Sequence, residues 1–260
     1  MVAALWQKFP TNLPSQVEAC LDEALSGRPP ASVEIYFRAD DIAVPSIPLA
    51  RLLSLFQDRR IPLALALVPA WLTAPRWEHL ARWQRRTPGL WCWHQHGWRH
   101  HNHAPAGAKK AEFGPHRPPA ILAGEIKKGL TRLQHILGTA LDPIFTPPWN
   151  RLAPELLPAL ESIGIGALSR DAGQARKNPA PLAEFPVHVD LHTHKAADPW
   201  EAGQHLLSTL RAGLAGGRCG IMIHHQRMNA AAFDFLEFFL GTLSRHTALA
   251  PISIASPLKP

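Results

Sequence analysis

The sequence predicts an α/β fold, an irregular (β/α) barrel of about seven units with mostly parallel strands, in a single domain across residues 1–260. Three observations support this prediction. Short apolar runs of strand length alternate with amphipathic helical patterns, which is typical of a mostly parallel sheet. About seven such units in a chain of this length fit a closed or nearly closed barrel better than an open sheet. The first predicted strand also lacks the glycine-rich phosphate turn of a doubly wound fold.

Hydrophobic spacing predicts the individual elements in chain order. Ser15 is expected to cap a first helix, within residues 1–30, that packs outside the barrel. The apolar positions of this helix share one face: Val17, Leu21 and Leu25. Strands are then predicted at 33–37, 61–68, 90–93, 144–145, 165–168, 185–191 and 220–223, and helices at 49–56, 76–85, 119–137, 154–163, 200–214 and 230–243.

Composition excludes several classes of protein. Of 260 residues, 46% are apolar, and 27 Lys and Arg against 20 Asp and Glu give a formal net charge of +7. Lys and Arg never form a run longer than two, so we expect no nucleic-acid partner. The longest apolar run, residues 61–72, is shorter than the roughly 20 residues of a membrane-spanning helix. Three widely spaced cysteines and no visible secretory signal predict a cytoplasmic protein without disulfides.

Polar residues collect where three predicted strands end. Asp40 and Asp41 follow the first strand, a histidine-rich segment at 94–103 follows the third, and His224 and His225 follow the last. In parallel α/β barrels the catalytic residues lie at the rim formed by the carboxyl ends of the strands. Adjacent aspartates before a proline also form caps and turns, and a histidine at a strand end is also an ordinary polar residue. The recurrence of acid and imidazole groups at the same end of different strands favours a site.

The histidine-rich segment offers ligands for a metal ion. His96 and His100 stand four apart, so one helical turn would bring both imidazoles to the same side. With Asp41 as the best placed carboxylate, they leave a coordination position for water, as a catalytic zinc site requires. We therefore expect one divalent ion. Zinc is the leading candidate, and cobalt, nickel, manganese and iron are the alternatives. His101 and His103 are expected to face solvent or to support the site. Five histidines in ten residues also fit a loose metal-binding tract.

Four short motifs lie at the ends of predicted strands. They are Phe37-Arg-Ala-Asp-Asp41, His96-Gly-Trp-Arg-His100, Phe145-Thr-Pro-Pro-Trp149 and Ile221-Met-Ile-His224. In this order they resemble the polysaccharide deacetylase family, the nodulation-type carbohydrate esterases, and Glu112-Phe113 resembles its cytoplasmic branches. The resemblance implies an irregular (β/α) barrel of about seven units. It also implies a metal-dependent hydrolase that removes an N-acyl group, acetyl first, from a sugar or sugar conjugate.

The resemblance assigns roles by position. It implies Asp40 as the general base, Asp41, His96 and His100 as the metal ligands, and His224 as the general acid. Supporting or substrate-binding roles are implied for a further set: Arg38, Pro148, Trp149 and His225. The expected partner is a small molecule or oligosaccharide with an N-acyl sugar. The chemistry is consistent, because a bound metal activates water, a carboxylate takes its proton and an imidazolium protonates the leaving amine.

Two departures from the family keep an alternative function open. Thr146 stands where the family usually has an arginine that orients the catalytic aspartate. Arg38 could supply this charge if its strand extends to Asp40, because alternate residues of a strand share a face. The later Asp-and-Trp motif of the family has no clear match around residues 169–173. The alternative is therefore a catalytically inactive relative that binds carbohydrate.

A third hypothesis uses the histidines of the segment Asp190-Leu-His-Thr-His194. An amidohydrolase-like barrel would take His192 and His194 as its metal ligands. We rank this hypothesis last, because that fold carries its His-x-His after the first strand. The segment could instead line the rim of the barrel or form an ordinary strand end.

Overall fold

The computed structural model of the chain describes residues 2–258. Its α-helices are α1 (Ala4–Gln7), α2 (Leu13–Leu25), α3 (Ile47–Arg59), α4 (Ala74–Arg86), α5 (Pro119–Leu137), α6 (Leu160–Ile163), α7 (Ala172–Lys177), α8 (Pro199–Ala215) and α9 (Ala230–Leu243). Its strands are β1 (Val33–Ile42), β2 (Leu63–Leu67), β3 (Trp91–His96), β4 (Leu141–Thr146), β5 (Ala167–Leu168), β6 (Ala183–Glu184), β7 (Val189–Asp190), β8 (Arg218–Ile223) and β9 (Leu249–Pro251). Short 3-10 helices lie at Gly138–Ala140, Pro148–Asn150, Pro154–Ala159, His225–Arg227 and Ser256–Leu258.

Side-chain caps and early prolines set where the longer helices begin. Ser46 Oγ accepts the N–H of Leu49 at 3.3 Å before α3, and Asp198 accepts the N–H of Glu201 at 3.3 Å before α8. Both helices carry a proline in the first turn, where its missing N–H has no helical partner to lose. No helix in the described part of the chain has the length and apolar character to cross a membrane.

Contacts divide the chain into two compact units. The first consists of the chain up to Ala39, Ser46–Leu63 and His188–Ser253. In it β1 pairs in parallel with β8 and with β9, and β7 pairs in parallel with β8. Helix α2 contacts α8 and α9, and the three residues predicted to form its apolar face, Val17, Leu21 and Leu25, are all buried.

The second unit consists of Asp40–Pro45, Ala64–Val187 and the chain from Ile254. Its strands are adjacent in the order β6-β5-β4-β3-β2, and β3 to β6 pair in parallel. Apolar residues of α5 spaced by three and four, Leu122, Ile126, Leu130 and Leu133, are buried, and the first three join a core cluster with Phe113 and Phe145. The α/β prediction with parallel strands is confirmed in both units.

Several elements differ from the prediction. Ser15 lies inside α2, which begins at Leu13 after Asn12, so the cap prediction is wrong. Pro14 explains the shift, since a proline is well tolerated in a first helical turn. Of the predicted strand at 185–191, only the two residues of β7 form a strand, and β6 lies just before the predicted range. The single domain across residues 1–260, with an N-terminal helix outside, stays a prediction.

Candidate metal centre

The end of β1 carries the two adjacent aspartates. The strand continues past its predicted end to Ile42, so Arg38, Asp40 and Asp41 all lie within it. Arg38 and Asp40 are buried, and Asp41 is half-buried. Asp41 has a φ of +62°, in the left-handed region that side-chain-bearing residues seldom occupy. The strand alternation therefore breaks at Asp41, and its carboxylate takes a direction of its own.

Asp41, His96 and His100 bring three ligand atoms together. Asp41 Oδ1 lies 3.4 Å from His96 Nε2 and 3.1 Å from His100 Nε2. All three atoms lie within 4.8 Å of one another. Two ligands at 2.0–2.2 Å from a tetrahedral ion are separated by about 3.4 Å, so these distances match a shared divalent ion. The three predicted metal ligands are thus brought together as the sequence predicted.

The orientation of His96 also suits a metal ligand. Its Nδ1 lies 3.0 Å from the carbonyl oxygen of Thr146, which can only accept, so Nδ1 carries the proton. In the neutral imidazole, Nε2 then presents its lone pair towards Asp41 Oδ1. This lone pair and the carboxylate oxygen are both atoms that can ligate a metal ion. A backbone carbonyl that fixes the second nitrogen is a common feature of metal-binding histidines.

The turn from His96 to His100 is not the helical turn that the spacing predicted. β3 ends at His96, and both Gly97 and His100 have positive φ, +59° and +55°. A Cβ on Gly97 would stand 2.3 Å from Glu112 Oε2 and 2.5 Å from Pro148 Cγ, so only glycine fits there. A tight left-handed turn, rather than a helix, brings the two imidazoles to a centroid separation of 5.1 Å.

Burial and two indoles define the surroundings of His100. Its ring centroid lies 4.4 Å from that of Trp149 and 5.6 Å from that of Trp71. Burial, together with the neighbouring His96 and against the opposing effect of Asp41, lowers the pKa of His100 to about 4. His100 is therefore neutral at pH 7, the form that binds a metal.

The predicted supporting residues Pro148 and Trp149 lie against this turn. They form a 3-10 helix with Asn150, in which Trp149 and Asn150 have positive φ of 56° and 59°. Of the six side-chain-bearing residues with positive φ in the described chain, four belong to the site: Asp41, His100, Trp149 and Asn150. Backbone strain of this kind concentrates at functional sites.

Thr146, which replaces the family arginine, is fully buried beside the ligands. Its carbonyl accepts from His96 Nδ1, and its Oγ1 lies 2.9 Å from Nε2 of His94, another buried histidine of β3. Because β1 extends beyond Asp40, Arg38 and Asp40 are alternate residues of one strand, which places them on the same strand face. The guanidinium of Arg38 donates to the sulfur of Met222 at 3.1 Å.

In the first unit, His224 and His225 lie just after β8. His224 is half-buried, and His225 is buried and begins a short 3-10 helix. The backbone N–H of His224 donates to Nδ1 of His192 at 3.2 Å. The turn that presents His192 is held by Asp190, whose Oδ1 accepts the N–H groups of His192 and Thr193.

The His192/His194 alternative for the metal ligands is not supported. His192 is buried and its Nδ1 is used by His224, while burial lowers its pKa well below the usual value. His194 packs on His205 with ring centroids 4.3 Å apart. Within residues 2–258, one group of three or more His, Cys, Asp or Glu residues has converging ligand atoms, and it consists of Asp41, His96 and His100. His101 and His103 are exposed, as expected.

Sequence reasoning missed the contributions of Glu112, Trp71 and His94 to this site. Glu112 is buried and accepts the backbone N–H groups of Trp98, Arg99 and His100. Burial raises the pKa of Glu112, and the N–H groups of Arg99 and Trp98 are among those that oppose the increase. The signal available in the sequence was the pair Glu112-Phe113, which the family resemblance names without a role in the site.

Comparison with known proteins gives structural matches alone. No family model and no curated protein matches the chain. A protein from Mycobacterium smegmatis described as a polysaccharide deacetylase has a TM-score of 0.63 and 15% identity over 88% of this chain and 90% of its own. A family 4 carbohydrate esterase from Streptomyces lividans, in complex with acetate, has a TM-score of 0.54 and 16% identity over 90% and 96%.

A family 4 acetyl xylan esterase from Clostridium thermocellum, in complex with a cobalt ion, has a TM-score of 0.50 and 14% identity over 82% of this chain and 84% of its own. At sequence identities this low, the structural matches establish a shared fold and nothing beyond it. The predicted fold class, an irregular (β/α) barrel with mostly parallel strands, is therefore confirmed, and the resemblance read from the four motifs holds at the level of the fold.

Proposed function

We propose that this chain is a metal-dependent amide hydrolase that removes an N-acyl group, acetyl first, from a sugar or sugar conjugate. The observation that carries the proposal is the convergence of Asp41 Oδ1 with the Nε2 atoms of His96 and His100. Structures of the same fold include a carbohydrate esterase with acetate and an acetyl xylan esterase with cobalt. Ligand set, fold and motif order therefore support one chemistry.

Asp41, His96 and His100 would hold one divalent ion, and we propose zinc. A zinc ion with three protein ligands lowers the pKa of water and polarises an acyl carbonyl. The Nδ1 bond of His96 to the Thr146 carbonyl keeps Nε2 directed at the ion. The indoles of Trp71 and Trp149 limit the access of bulk water to His100.

We assign Asp40 as the base and His224 as the acid. Asp40 takes a proton from the attacking water while the water oxygen bonds to the acyl carbon. The C–N bond then breaks, and the His224 imidazolium donates its proton to the leaving nitrogen, because an amine anion is a very poor leaving group. Arg38, Pro148, Trp149 and His225 keep supporting roles in this proposal. The motif positions support these assignments.

The inactive, carbohydrate-binding alternative is not favoured. All three metal donors are in place, and Thr146 contributes a backbone acceptor to His96 in spite of the missing arginine. We also propose a cytoplasmic location, which the three buried cysteines, all free thiols, support.

Acetate release provides the test. Purified protein, stripped with a chelator and reloaded with zinc or cobalt, is incubated with chitin oligosaccharides and, separately, with acetylated xylan. The proposal expects metal-dependent acetate release from the N-acetylated substrate. Release from xylan alone would change the bond class to an ester, and no release from either substrate with a loaded centre would contradict the proposed hydrolase.

A further inference from the structure

The carboxylate of Glu112 lies inside the turn that carries His100. Its Oε1 accepts the N–H of Arg99 at 2.7 Å, and its Oε2 accepts those of Trp98 and His100, each at 3.2 Å. Three consecutive backbone N–H groups directed at one anion form an anion-binding nest. Here the anion is a side chain of the protein itself, 1% exposed.

Other contacts hold the start of the same turn. The N–H of Gly97 donates to the Thr146 carbonyl at 3.1 Å, and the carbonyl of Gly97 accepts from Gln95 Nε2 at 2.9 Å. The carbonyl of Trp98 accepts the N–H of Ala70 at 3.0 Å. These contacts fix Gly97 and Trp98, whereas the carboxylate of Glu112 continues the restraint as far as His100.

Glu112 is itself held in place from both sides along the chain. Asn102 Oδ1 accepts the N–H of Ala111 at 3.0 Å, and the carbonyl of Phe113 accepts the N–H of Ala153 at 2.7 Å. Phe113 is fully buried in the core cluster of the second unit. The backbone on both sides of Glu112 is therefore held in place, and the N–H groups of the turn bind to its carboxylate.

We propose that Glu112 is the positioning residue of the metal centre, setting where the His100 imidazole stands relative to Asp41 and His96. The inference rests on the proposed function, because it takes these three residues as metal ligands. Without the carboxylate, the backbone N–H groups of Trp98, Arg99 and His100 lose their acceptor, and the left-handed backbone of His100 loses a contact that helps to maintain it. Glu112 does not belong to the ligand group of the described residues, so it acts through His100.

The first test measures cobalt binding in Glu112→Gln. The amide keeps the length of the side chain but places an NH₂ where an N–H group needs an acceptor. We expect the affinity for Co²⁺, measured by competition with a chelator, to fall about 10–100-fold, with a changed visible absorption spectrum. Glu112→Asp, which keeps the charge but shortens the side chain, should retain an intermediate affinity.

Glu184→Gln is the matched control. Glu184 is also largely buried, accepts the N–H of Ala180 at 2.6 Å and pairs with Arg170 at 2.7 Å. Its loss should lower the stability of the second unit and leave cobalt affinity and spectrum unchanged. A general loss of stability is thereby separated from an effect on the metal ligands.

A double-mutant cycle with His100→Ala shows whether Glu112 acts through this ligand. His100→Ala should weaken cobalt binding, and adding Glu112→Gln should weaken it no further. Full additivity of the two losses would overturn the inference, and so would wild-type affinity and spectrum in Glu112→Gln. If Glu112→Gln does not fold, wild-type cobalt binding by Glu112→Asp has the same meaning.

The failure of the inference is distinguishable from that of the proposed function. The binding measurements use metal alone, with no sugar substrate. Unchanged cobalt binding in the Glu112 variants, with acetate release intact in the wild type, contradicts the positioning role and leaves the hydrolase. A wild-type chain that binds no cobalt contradicts both.

Discussion

At the scale of single residues, two of the three proposed metal ligands have a backbone conformation that most residues avoid. Asp41 and His100 both have positive φ, at +62° and +55°. Each such residue costs on the order of 1–3 kcal/mol and persists only where its surroundings enforce it. For His100 the surroundings include the Glu112 carboxylate and two indoles. Stability is thus given up at the positions where the ligand atoms must converge.

Substitutions of the two adjacent aspartates should have different effects on metal content and turnover. Asp41→Asn removes the carboxylate that lies between the two imidazoles, so we expect metal content to fall well below about one ion per chain. Asp40→Asn should keep the metal and lose turnover by about 10²–10⁴-fold, as expected when a general base is removed. Metal analysis and acetate release on the same preparations check both. Equal loss of metal in the two variants would show that their roles are assigned wrongly.

Stability should depend on pH through His100. Its pKa is about 4 in the folded chain against an ordinary value of 6.5, so the unfolded chain binds the proton first as the pH falls. In metal-free protein the free energy of unfolding should therefore decrease between about pH 6.5 and 4, by about 3 kcal/mol from this group. Urea unfolding at pH 7 and 4.5 should show a smaller decrease in His100→Gln. An equal decrease in both proteins would contradict the assignment, and His101→Gln, at an exposed neighbour, is the control.

At the scale of elements, spacing predicts the helices better than the strands. Helices α5 and α9 run over the predicted residues, because their apolar positions recur every three to four residues. β1 was predicted to end at Phe37 and ends at Ile42, because the sequence turns polar where the strand is still buried. Buried polar residues at a strand end look like a loop from the sequence alone, and they are the residues of the site.

The convergence of Asp41, His96 and His100 could be predicted, whereas the turn that brings them together could not. Residue type and motif order are enough to select Asp41, His96 and His100. The shape of the turn depends on Glu112, twelve residues beyond His100, and on Thr146 in another strand. Local spacing carries no information about contacts of that range, so a helical turn was the default expectation.

The end of β8 offers a choice between two histidines. We expect His224→Ala to lower kcat by about 10²–10⁴-fold with metal content unchanged, because it removes the proposed acid. His225→Ala should affect kcat mildly and lower stability instead, since His225 is 2% exposed. Steady-state kinetics, metal analysis and thermal melting of both variants check this ranking. The reverse ranking would make His225 the acid.

At the scale of the whole molecule, the fold and the site carry different kinds of information. A TM-score of 0.63 at 15% identity shows that the fold persists with few shared residues. One fold hosts many functions, so the chemistry has to be argued from the site. In this chain the three proposed metal ligands and the contacts that orient them lie within the second unit, Asp41 at the end of β1 included.

Metal binding should stabilise the whole chain measurably. A ligand that binds the folded state alone adds about 2.7 kcal/mol at a free concentration of 100 times its Kd. For a chain of this size that corresponds to a rise in Tm of roughly 5–10 °C. Calorimetry of chelator-stripped protein with added zinc should show this rise in the wild type and in His101→Gln, and none in Asp41→Ala. The same rise in Asp41→Ala would mean that zinc binds elsewhere, with the exposed His101 and His103 as the first place to look.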